Sequence, residues 1–144
     1  MYSWTVSLAR LAIVVGVVVA CSAAIGCGKK SAGPPDLSQG FGPAEDAVKT
    51  FFTAAEGGDC DGLRKVMLAP DAGPLGPEGC DDVTHDFKEN KDRFRRVINS
   101  KADGRDKNVV LVTTEVEFET KKSGNLHQWV MRAEWRDGVW KVRF

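Results

Sequence analysis

The sequence predicts an α+β fold in which about three helices pack on one face of an antiparallel sheet of about four strands. Three observations point to it. Apolar residues recur every three or four positions through the first half of the folded region. From Val97 onward they recur every second position, and Asp137-Gly138 sits between two alternating runs as a two-residue hairpin signal. Helices that precede the strands in the chain gather on one face of a sheet rather than alternating around it.

The first helix is expected to open at Pro43, a residue suited to the first helical position. Ala44, Ala47, Val48, Phe51 and Ala55 then share one helix face, Phe52 widens it, and Gly57-Gly58 ends the helix. A second, shorter helix is expected from Asp59 to Leu68, with Leu63, Val66 and Met67 inward. Pro70 to Gly79 is rich in Pro and Gly and reads as a loop. Asp81 or Asp82 is suited to cap a third helix, with Val83, Phe87, Phe94 and Val97 as its inward residues.

In the strand region Val110, Val112, Val116 and Phe118 share one face. Trp129, Met131, Ala133 and Trp135 share one face of the next strand, and Trp140, Val142 and Phe144 one face of the last. The Asp137-Gly138 turn pairs Arg136 with Val139, Trp135 with Trp140, Ala133 with Val142 and Met131 with Phe144. Every apolar pair then lands on the same side, and a one-residue slip would turn all of them into water. The opposite side carries Glu115, Glu117, Glu119, Arg132, Glu134, Arg136, Lys141 and Arg143. In this register Glu134 faces Lys141 and Arg132 faces Arg143, with Glu115 expected to supply the carboxylate between the two arginines. Such a face reads first as solvated and ion-paired, and second as an interface with a partner or another copy.

Ahead of the folded region lies an export leader. Arg10 and the amino terminus supply positive charge, Leu11–Ala20 is apolar, and Ala24-Ile25-Gly26 places small residues before Cys27. Ala24-Ile25-Gly26-Cys27 resembles a bacterial lipobox, which implies cleavage after residue 26 and a lipid on Cys27. Val18-Val19-Ala20-Cys21 is a poorer second match. The competing readings are a plain secreted protein and a retained anchor, but the sixteen uncharged residues of Leu11–Gly26 fall short of the roughly 20 a spanning helix needs. The expected organisation is a signal peptide over 1–26, a Gly/Ser/Pro-rich tether over 27–42 and a folded domain over 43–144. The expected location is the cell envelope, with the protein lipid-anchored and facing the periplasm or the cell surface. Gly28 lacks the aspartate of inner-membrane retention, which favours the outer membrane.

With Cys21 removed and Cys27 acylated, Cys60 and Cys80 remain and are expected to form a disulfide in an oxidising compartment. The bridge would close the Pro/Gly-rich loop for roughly 3 kcal/mol. A metal site of Cys60, Cys80 and His85 lacks CxxC or HxxxH spacing, so neither metal nor cofactor is expected.

Twenty Lys plus Arg against twenty Asp plus Glu leave no basic excess, which argues against a nucleic-acid partner. No GxSxG, phosphate-binding loop, GxGxxG or HExxH occurs. His85 lies among charges on a helix and reads as a surface residue. His127 is in phase with Trp129 and points to the concave face near its rim, as an edge histidine before a general base. Trp129, Trp135 and Trp140 read as core, and as walls of a pocket in the alternative.

The stretch Ala44–Met67, with Phe51-Phe52 and the Gly58-Asp59 step, followed by Ala133–Phe144 with Trp135 to Val142, resembles the nuclear-transport-factor-2-like superfamily. Within it the chain looks like the small bacterial lipoproteins. The resemblance implies a cone-like fold with a curved sheet wrapped on the first helix and, in many members, an apolar cavity between them. The pocket would then be lined by Phe51, Phe52, Phe87, His127, Trp129, Trp135 and Trp140. Some members are isomerases or dehydratases, and the ketosteroid-isomerase type uses an interior tyrosine. The only tyrosine here is Tyr2, in the leader, so no catalytic residue is carried over. The expected function is non-catalytic binding of an apolar small ligand or a protein partner at a membrane. The alternative is a small-molecule isomerase or dehydratase working in the concave pocket.

Overall fold

The computed structural model describes residues 33, 35–119 and 125–143. All of them fall in the second of two compact units, Ser31–Phe144. The leader, Cys27 and Phe144 lie outside the described residues. Among the described residues no helix is long and apolar enough to cross a membrane.

Helix α1 (Gly42–Gly57) has Pro43 in its first turn and buries Ala44, Val48, Phe51, Phe52, Ala54 and Ala55. It stops at Gly58, whose φ of 68° lets its N–H return to the carbonyls of Ala54 and Ala55. Helix α2 (Cys60–Val66) is capped by the Asp59 carboxylate, which accepts from Gly62 N at 2.9 Å. The expected continuation of this helix to Leu68 does not occur. Met67 and Leu68 extend as a short strand, β1, beside the C-terminal strand, so both side chains are buried.

Helix α3 (Pro77–Asn90) begins four residues before the first expected aspartate cap. Pro77, with no N–H to satisfy, and extended Gly76 open it, so neither Asp81 nor Asp82 is its cap. It ends at Lys91, which takes the left-handed conformation (φ 52°). Phe94 and Val97, expected on this helix, therefore lie on strand β2 (Arg93–Asp103). Strands β3 (Asp106–Phe118), β4 (Asn125–Arg136) and β5 (Val139–Arg143) complete the sheet.

The sheet order is β1-β5-β4-β3-β2. It has five strands rather than four and is mixed rather than antiparallel, because β1 runs parallel to β5. The β4–β5 register is the one the turn dictates: Arg136 pairs with Val139, Trp135 with Trp140 and Ala133 with Val142. Asp137 (φ 50°) and Gly138 (φ 86°) both take positive φ, as a type I′ turn requires. The core joins the inner faces of α1 and α3 to Val110, Val112, Val116, Met131, Ala133 and Val142 of the sheet.

Candidate functional site

Of the seven residues expected to line a pocket, six belong to or pack against one core, while His127 is exposed. Phe51, Phe52 and Phe87 are buried together, with ring centroids 5.2–5.9 Å apart. Trp129 closes on Phe52 at 6.1 Å and on Phe87 at 6.0 Å, while Phe94 stacks on Phe52 at 4.9 Å. At this level the space between α1 and the sheet is filled by interlocked rings. Trp135 and Trp140 pair across the hairpin at 5.5 Å, Trp140 within the same core as the phenylalanines and Trp135 packed against it.

His127 is exposed at the rim, its ring edge-on to Phe118 at 4.6 Å. Near it is a group the sequence did not reveal. Asp92, in the joint between α3 and β2, is 2% exposed, and its Oδ1 has no hydrogen-bond partner among the described residues. Burial pushes its carboxyl up to about 6, and the charge of Asp86 adds to the rise. Arg93 and His127 pull the other way. His127 stands in water rather than in a closed pocket.

A cavity of about 280 Å³ lies at the other end of α1, against Trp140. Its walls are the α1 start (Pro43, Ala44), Trp140 and the segment Pro35–Phe41. That segment is the end of the expected tether, and it is structured: Leu37–Gln39 form a 3₁₀ turn capped by Asp36, and Leu37 and Phe41 pack against the core. Spacing of four between Leu37 and Phe41 was the available signal in the sequence, masked by the surrounding Gly, Ser and Pro. Trp140 is 7% exposed, and its indole Nε1 is sealed from water with no acceptor among the described residues. Asp36 keeps its negative charge, since hydrogen bonds from Ser38 N and then from Ser38 Oγ hold its carboxyl below the usual range.

On the outer face Arg132 does stand opposite Arg143 and Glu134 opposite Lys141. The carboxylate between the arginines is not Glu115, however. The β3–β4 register sets Leu111 opposite Arg132 and Gln128 opposite Glu115, and Glu115 pairs instead with Arg96 of β2 at 3.2 Å. Glu134 takes the expected place, bound by Arg132 at 2.9 Å and Arg136 at 2.8 Å, with Arg143 at 3.7 Å. Burial alone would raise the Glu134 carboxyl, but the hydrogen bonds from Arg136 and Arg132, aided by their charges, outweigh it and leave it lowered. Lys141, opposite in register, instead donates to the Lys65 carbonyl.

Cys60 and Cys80 are joined by a disulfide with Cα atoms 5.6 Å apart, tying the start of α2 to the first turns of α3. Asp81 lies close to the two sulfurs, but sulfurs shared in a disulfide present no thiolates to a metal. His85 is exposed and turns to Asp86 rather than toward the cysteines.

No protein-family model and no curated protein matches the chain. Among solved structures it is similar to a variant of the protein Rd1NTF2_05, at TM-score 0.51 and 18% identity over 69% of this chain and 92% of that one. Also similar are a proposed polyketide cyclase from Sinorhizobium meliloti (TM-score 0.49, 19% identity, 68% and 92% covered) and an NTF2-like protein from Cytophaga hutchinsonii (TM-score 0.42, 17% identity, 68% and 88% covered). The fold is thus the cone-like α+β fold of nuclear-transport-factor-2-like proteins, as its three helices on a curved five-stranded sheet already indicate.

Proposed function

We propose that this chain is an exported, lipid-anchored domain that binds an apolar small molecule without transforming it. The observation that carries the reading is the cavity of about 280 Å³ walled by Leu37, Phe41, Pro43, Ala44 and Trp140. Its size falls at the lower edge of small-ligand sites, and apolar walls with a few polar atoms are their usual lining. The Cys60–Cys80 disulfide fits an oxidising compartment outside the cytoplasm. The Ala24-Ile25-Gly26-Cys27 sequence supports attachment through Cys27, in the outer membrane by the absence of aspartate after it. The filled aromatic interior and the exposure of His127 weigh against acid–base chemistry in the cone.

Native mass spectrometry of the chain purified from bacterial envelopes tests both halves of this reading. The expected result is an N-terminal Cys27 carrying acyl mass and a substoichiometric, non-covalent apolar adduct. An unmodified Cys27 removes the anchor, and a chain that neither carries nor takes up any apolar molecule removes the binding role.

A further inference from the structure

Strand β4 is longer than the strand that flanks it. Strand β5 pairs only with Arg132–Arg136, and among the described residues no strand lies on that side of Asn125–Val130. The main-chain groups there point outward. A two-residue turn makes Arg136 and Val139 a hydrogen-bonded pair, so Arg136, Glu134 and Arg132 direct their N–H and C=O toward β5. The β3–β4 register runs without a bulge from Val109–Glu134 to Phe118–Asn125. Counting on by twos, Val130, Gln128 and Leu126 turn the same groups away from β3, onto the open side.

This edge lacks the usual protection. Asn125–Val130 contains no Asp, Glu, Lys or Arg and no Pro or Gly. Val130 (63% exposed) and Leu126 (55%) are the two most exposed large apolar side chains among the described residues. The opposite edge of the sheet, β2, is guarded by three register shifts and by Arg93, Arg95, Arg96 and Lys101.

We infer that a second copy of this chain takes the open edge, with the two Leu126–Val130 segments running antiparallel about a two-fold axis at Gln128. The segment is complementary to itself in that register. Leu126 falls opposite Val130 of the second copy, on one face and at both ends, and Gln128 falls opposite itself. All three are positions whose main-chain groups already face outward, so each pair exchanges N–H···O bonds in both directions. No two like charges meet. A slip of two residues sets Leu126 against Gln128 in one direction and against Arg132 in the other. The pairing stops at Val130, which leaves the place opposite Met131 to the continuation of β5. An edge this short buries far less than the roughly 1,600 Å² of a standard interface, so the dimer is reversible. It is independent of the ligand-binding role proposed above.

Trapping by cysteine tests both the partner and the register. Single cysteines are placed in the full chain, which is purified and oxidised with copper phenanthroline and air. Opposed Cα atoms of a hydrogen-bonded antiparallel pair are about 5.5 Å apart, within disulfide reach. Gln128→Cys is expected to give a product of twice the chain mass. Leu126→Cys alone and Val130→Cys alone are not, because each is displaced from its own copy by four residues, about 14 Å along the strand. Mixed, those two variants are expected to cross-link. Lys101→Cys on the β2 edge and the chain with no added cysteine give the background from random collision. Adding Val130→Lys to Gln128→Cys is expected to slow trapping at least about tenfold, since it sets an ammonium group against Leu126 of the second copy. Val130 is exposed, so this change leaves the fold intact. If Gln128→Cys cross-links no faster than Lys101→Cys, the proposal is overturned. Self-linking of Leu126→Cys or Val130→Cys as fast as Gln128→Cys overturns the register. In a fresh lysate the product is expected to keep twice the chain mass; a product of any other mass assigns the edge to a different protein and overturns the second copy.

Discussion

Arg132 lies directly across the β4–β5 pairing from Arg143, and both guanidinium groups reach one carboxylate, that of Glu134. Arg136 reaches it too, so Glu134 is 3% exposed on a face otherwise open to water. Removing the carboxylate leaves three cations facing one another, with Asp103 at 3.0 Å and Asp106 at 4.0 Å from Arg132 as nearby anions. Glu134→Gln is expected to cost about 2 kcal/mol. That is less than a fully buried pair would lose, because the arginines remain partly hydrated. Urea unfolding at pH 7 checks it, and a loss under about 0.5 kcal/mol would show the cluster to be ornamental to stability. Since the folded carboxyl is lowered below its ordinary 4.5, this stabilisation is present above that pH and is lost as pH falls through the folded value.

The β-hairpin turn supplies a second prediction. Gly138 sits at φ 86° with open space around it, so a Cβ there meets no atom but strains the backbone. Gly138→Ala is expected to destabilise by about 1 kcal/mol and to keep the Trp135–Trp140 pairing. The near-ultraviolet dichroism from the two rings, 5.5 Å apart, reports the pairing, and its disappearance in a still-folded variant would mean that the turn alone sets the register.

The same hairpin shows what made part of the fold legible. Turn chemistry and alternation agree from Trp135 to Val142, so register, face and partner all followed from the residues. Where two periods coexist, the reading failed. Phe94 and Val97 stand seven and ten residues after Phe87 and so fit the helix period, yet Lys91 breaks α3 and both belong to β2. Met67-Leu68 is too short to show a strand period, and its place beside β5 comes from a parallel contact with no local signature. Glu115 does not reach Arg132 because the β3–β4 register, which no short turn fixes in the sequence, sets it opposite Gln128 and leaves Leu111 opposite Arg132. Of the candidate site, the aromatic residues are visible in the sequence, but not that their rings fill one core. Asp92 and the cavity wall at Leu37 and Phe41 were hidden, one by a charged context and one by a linker-like composition.

The disulfide gives a prediction of stability. Twenty residues separate Cys60 from Cys80, and closing a loop of that length is worth about 3 kcal/mol in the chain-entropy model. Cys80 is fully buried, so serine there would add a desolvation cost that obscures the loop term. Reduction of the native chain is the cleaner comparison. For a domain of this size the thermal midpoint should fall by roughly 12–20 °C in reductant, followed by far-ultraviolet dichroism. A fall of less than about 3 °C would mean that helix packing alone already restrains this segment.

Asp92 should make stability fall as pH rises, the reverse of the Glu134 effect. Its folded carboxyl sits at about 6 against an ordinary 3.8. Between those values the folded state keeps a proton that the unfolded chain has released, so folding is favoured at the acid end and loses ground toward neutrality. Below about pH 4 the two states are protonated alike, and above about pH 7 the full penalty of a buried charge applies. Asp92→Asn keeps the shape and removes the titration. The variant is expected to match the native chain near pH 4 and to exceed it by about 2–3 kcal/mol at pH 8. Taking the difference between the two proteins at each pH cancels every other titrating group, Glu134 included. Urea unfolding at pH 4, 6 and 8 measures that difference. If it stays constant across the range, Asp92 is either hydrated or paired in solution, and its carboxyl does not titrate near 6. A rise confined to pH 4–7 would identify the α3–β2 joint as the place where this domain gives up stability to hold a carboxylate beside His127.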